Sequence, residues 1–117
     1  MEEYALIMRH ADGKEVSSPE QIQQWMKQTM DWIGGIAAQN KFVSGTGLPF
    51  EDARVIVSKN STKVVTNGPF GEIKETLGGL IIVKADSVDE AVEFAKGCPV
   101  LVGDGNSMEV RRVTHRN

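Results

Sequence analysis

The stretch from Asn67 to Lys84 constrains the fold more than any other part of the chain. Its first nine residues, Asn67-Gly68-Pro69-Phe70-Gly71-Glu72-Ile73-Lys74-Glu75, combine tight-turn chemistry, an aromatic that needs cover and alternating charges. They run straight into Thr76 to Lys84, a strand dominated by Leu80, Ile81, Ile82 and Val83 and interrupted by Gly78-Gly79. Ser87-Val88-Asp89-Glu90 then offers a capping box, in which a serine and a glutamate three residues on satisfy backbone N–H groups at a helix start. Behind it Val88, Ala91, Val92 and Ala95 recur at i, i+3, i+4 and i+7, and Lys96-Gly97 with Pro99 supplies a cationic last turn and a stop. A strand followed at once by a one-sided helix has to cover one face of a sheet.

The first half of the chain repeats that plan. Tyr4 to Arg9 is apolar on both alternations and reads as an interior strand. Ser18-Pro19-Glu20-Gln21 places an N-cap, a proline at the first helical position and a reach-back residue before a helix that ends near Asn40. Ile22, Trp25, Met26, Thr29, Ile33 and Ile36 line one face of it, and Gly34-Gly35 either lets its end fray or permits close packing. Phe42 to Leu48 is strand-like, with Gly45 and Gly47 marking a bulge or a close backbone approach. Ala53 to Val57 and Thr62 to Thr66 form a hairpin about Lys59-Asn60-Ser61, and Glu109 to Val113 is the final strand.

This order predicts an α+β fold: a ferredoxin-like split βαβ arrangement with one antiparallel sheet and two helices on one face. The other face of such a sheet is left bare, so two copies are expected to pack sheet to sheet as a homodimer.

At 117 residues the chain makes one domain, residues 1–117. A net charge of -3 argues against a nucleic-acid partner. Glu2 and Glu3 are the reverse of a signal peptide's basic start, and no apolar run is long enough to span a bilayer, so no membrane role is expected. The single cysteine, Cys98, has no internal disulfide partner and fits a packing role in a reducing, cytoplasmic compartment.

With Asn67 to Glu75 and Leu77-Gly78-Gly79, the chain resembles the YCII-related family, in its DGPF branch, whose motif is close to D-G-P-F-x-E-x-K-E followed by a Gly-Gly strand. The resemblance extends over nearly the whole chain and implies a dimeric α+β barrel, with a link in some members to sigma-factor-like genes. Asn67 stands where the motif has aspartate, which keeps a turn-capping acceptor but removes a titratable carboxylate. In the broader family a histidine in the first helix and an aspartate before a proline after the second helix look like a catalytic pair. Here the first helix has no histidine and Cys98 precedes Pro99, so that pair does not carry over.

The motif has a structural role in which Gly68 and Pro69 shape the turn and Phe70 anchors it. It has a functional one in which Asn67, Glu72 and Lys74 face a cleft; strand alternation puts Glu72 and Lys74 on one face. His10, beside Arg9, is the candidate acid or base, against the blander reading of a solvated loop histidine. The candidate ligand-binding set is Arg9, His10, Arg54, Asn67, Phe70, Glu72 and Lys74. His115 lies in a polar tail, Gly103-Asp104-Gly105-Asn106 reads as a turn, and no spacing suits a metal. Trp25 and Trp32 read as core or interface aromatics. The expected function is a homodimer that binds a small organic ligand in a cleft near its interface, with any chemistry being cofactor-independent proton transfer. The alternative is a non-enzymatic interaction or regulatory module linked to transcription.

Overall fold

The computed structural model describes residues 1–10, 19–48, 52, 54–67, 76–103 and 105–114. Strand β1 (Glu2–His10) is followed by helix α1 (Pro19–Ala37), strand β2 (Phe42–Gly47) and the pair β3 (Arg54–Lys59) and β4 (Thr62–Asn67). Strand β5 (Thr76–Ala85), helix α2 (Val88–Lys96), a 3-10 turn (Pro99–Val102) and strand β6 (Ser107–Arg112) complete it. The main sheet is antiparallel in the order β2-β5-β1-β6, so β1 is interior as its apolar alternation requires. This is the ferredoxin-like α+β order.

Tyr4, Leu6, Ile81, Val83 and Ala85 point to one face and pack with Ile36 from α1 and Ala91 and Ala95 from α2. Both helices therefore cover the same side. By alternation Ala5, Ile7, Leu80 and Ile82 point to the other side, where they are only half-buried and no described element packs on them. Cover on both faces of β1, expected from its sequence, is thus met on one face within the single chain.

The hairpin departs from expectation. Instead of joining the main sheet, β3 and β4 form a separate two-stranded sheet inserted between β2 and β5. Its tight two-residue turn is made by Asn60 (φ 52) and Ser61 (φ 64), both in the left-handed conformation that matches the twist of the flanking strands.

Local chemistry explains the element ends. In α1 the chain closes with Asn40 left-handed (φ 58), its N–H donating to Ala37 O at 2.9 Å and the Lys41 N–H to Ile36 O at 3.3 Å. That is a Schellman closure, so the helix end is capped and not frayed. A Cβ at Gly34 or Gly35 would meet nothing, which removes close packing as their purpose. Among the described side chains of α1, Ile36 is buried and Trp25, Thr29, Trp32 and Ile33 are partly so, whereas Met26, assigned to the covered face from its spacing, is 64% exposed. A 19-residue helix runs about 28 Å, against about 20 Å for the six-residue β2, and outreaches it.

The glycines of β2 and β5 do serve close approach. A Cβ at Gly45 would sit 3.1 Å from Ile81, and one at Gly79 would sit 3.0 Å from Met8 and 3.1 Å from the Thr46 carbonyl. The β2 bulge lies between Phe42 and Ser44, ahead of the glycines that suggested one, and a second irregularity lies at Met8 and Arg9 of β1. The last strand begins two residues earlier than its apolar pattern indicated, at Ser107.

Candidate functional site

The expected site residues fall into two groups on two separate elements. Arg9 and His10 end β1, where Arg9 lies opposite Leu77 and His10 opposite Thr76, the residue that follows the motif. On the other flank Arg9 pairs in register with Ser107 of β6. Arg54 and Asn67 face each other across the first rung of the hairpin. Phe70, Glu72 and Lys74 lie outside the described residues, as do Ser18, Asp104 and His115.

Arg9 lies on the uncovered side of the sheet with Ala5 and Ile7, and its guanidinium donates to Glu109 Oε1 at 2.9 Å. The two side chains are 34% and 40% exposed, so solvent screens the pair and its weight for stability is small. The other Glu109 oxygen lies 3.8 Å from Arg111 Nε. One carboxylate thus sits between two guanidiniums, leaving one excess positive charge among these three side chains. An arginine has five N–H donors in a planar fork, so a single-oxygen contact uses only part of what Arg9 offers a carboxylate or phosphate. Pairing across one hundred residues of sequence was not legible in advance; Glu109 and Arg111 were read only as parts of a closing strand.

A concavity of about 330 Å³ lies between the helices, lined by Trp32, Ile36 and Phe94 together with Asp31 and Glu93. Its apolar lining is structural: Trp32 Nε1 donates to the Phe94 carbonyl at 2.8 Å, and Gly97 is small because a Cβ there would meet the indole at 3.1 Å. Gly97 has φ -82, so it ends the helix without entering the left-handed region. Both carboxylates are engaged, Asp31 by Lys27 at 2.9 Å and Glu93 by Lys96 at 2.7 Å.

Cys98 is buried, as a packing role requires, and burial pushes its thiol pKa up, with a backbone hydrogen bond at Val100 opposing. A protonated, enclosed thiol is a poor nucleophile. Among the described residues no three His, Cys, Asp or Glu side chains converge as metal ligands, and no helix is long and apolar enough to cross a membrane.

Residues 3–116 match the model of the YCII-related domain, and the chain belongs to that family. No curated protein matches the chain.

Proposed function

We propose that this member of the YCII-related family works as a cytoplasmic homodimer that binds a small organic anion on the uncovered sheet face, at the end where β1 meets β5 and β6. The row Arg9, Glu109, Arg111 carries this reading, because it sets a partly satisfied guanidinium beside an apolar strip of Ala5, Ile7, Leu80 and Ile82. An apolar surface with a few convergent polar groups is the usual make-up of a small-molecule site. His10 ends the same strand, and any chemistry would be proton transfer to or from it without a cofactor. Within the family the run from Asn67 to Glu75 supports a place in the DGPF branch.

A thermal-shift screen of carboxylates and phosphorylated metabolites tests this. A ligand that binds only the folded state at about a hundredfold above its Kd adds about 2.7 kcal/mol and raises the Tm. The response should vanish in Arg9→Gln while that variant's own Tm stays within a degree or two of wild type. A screen in which no anion shifts the wild-type protein defeats the reading.

A further inference from the structure

We infer that the β3–β4 hairpin is an arm that packs on a second copy of this chain, so that each ligand cleft is composite, built from β1 of one chain and the hairpin of the other. The inference rests on the pairing of two chains proposed above and specifies which element makes the pair.

Isolated two-stranded hairpins are marginally stable in water, and this one makes no extensive contact with any other described element. Yet its middle is apolar on both sides. Ile56 pairs with Val65 on one face and Val57 with Val64 on the other. Their exposures are 66%, 61%, 46% and 45%. Polar residues Ser58, Lys59, Thr62 and Lys63 are confined to the tip. A strand pair that is greasy on both faces has to be sandwiched, and one chain offers at most one uncovered sheet face to lie on. Among the described elements the chain offers no second surface, and another copy supplies one.

The area balance favours another copy. The chain exposes 8473 Å², whereas a folded monomer of 12.8 kDa exposes about 6,300 Å². The excess, about 2,200 Å², is a figure for the whole chain, and a specific protein interface needs about 800 Å² from each partner. The uncovered strip of Ala5, Ile7, Leu80 and Ile82 supplies an apolar surface of matching chemistry on each copy. The site residues point the same way: Arg54 and Asn67 lie on the hairpin, which belongs to a separate sheet from the β1 that carries Arg9 and His10, and a partner's arm can join the two groups.

The test compares wild type with Ile56→Glu/Val65→Lys and with Val57→Glu/Val64→Lys by sedimentation velocity. Each double variant places opposite charges across a rung, which preserves the hairpin while removing one apolar face. The inference expects a paired wild type and a dimer weakened at least tenfold in both variants, with the far-UV circular dichroism of the body unchanged. A single-chain wild type overturns the pairing itself and this inference with it. A paired wild type whose variants associate equally well overturns the arm alone and leaves the pairing intact. Hydrogen exchange gives an independent reading on the unaltered protein: amides of residues 55–57 and 64–66 should be protected at high concentration and exchange on dilution, and rapid exchange in the paired state also overturns the arm.

Discussion

Glu90 concentrates more stabilising chemistry than any other described side chain. Its N–H donates to Ser87 Oγ at 3.1 Å, its Oε1 accepts from the Asp86 N–H at 3.0 Å, and its Oε2 accepts from Lys41 Nζ at 2.8 Å. Ser87→Ala removes the cap and should cost about 1 kcal/mol, lowering the Tm by about 4–8 °C in a scan of both proteins. The Lys41 hydrogen bond, then that of the Asp86 amide, lowers the Glu90 pKa below its ordinary value. A lowered folded-state pKa means that the contribution is present above the unfolded carboxylate's pKa and lost as pH falls through the folded one. Denaturant titrations across the acidic range should therefore show Glu90→Gln losing less stability on acidification than wild type; parallel curves would refute the assignment. Ser87 with Glu90 was legible because a capping box is local in sequence. Lys41 was not, because the fold alone brings it to Glu90 across forty-nine residues, and Arg9 found its partner Glu109 by the same route.

At the scale of elements, α1 is stabilised at its end and weak just before it. Gly34 and Gly35 cost helix entropy, and nothing in the surroundings requires their missing side chains. Gly35→Ala should therefore raise stability by about 1 kcal/mol, measured by chemical denaturation, and a fall would reveal a contact at that face. Both helices, all six strands and the hairpin turn could be read from capping residues, periodicity and paired glycines, since each depends on neighbours a few positions away. The detachment of β3–β4 from the sheet could not. Alternating β-branched residues state that a segment is a strand, but strand identity says nothing about which edge it will join. Likewise the spacing of Met26 fits the covered face of α1, yet Met26 is exposed while Trp25 beside it is half-buried, because Met26 sits at the flank of the apolar stripe and Trp25 near its centre.

For the whole molecule, the radius of gyration of 15.9 Å exceeds the roughly 13 Å of a compact domain of this length, and the extents of 46 × 43 × 23 Å describe a flat body. A flat body with an uncovered sheet face and a projecting hairpin stabilises its core less well alone than in a pair, because each copy leaves apolar area in water. If the pair is the stable form, unfolding is coupled to dissociation and stability depends on protein concentration. Raising the concentration a hundredfold adds about 2.7 kcal/mol per dimer by mass action, which should lift the Tm by a few degrees in scans of unlabelled protein. The same scans of Ile56→Glu/Val65→Lys should flatten first at the low-concentration end, where the weakened pair has separated into single chains that unfold independently of concentration. A wild-type Tm that does not move between about 1 and 100 µM means that the chain tolerates its exposed face alone, and the cleft then has to be sought within one copy.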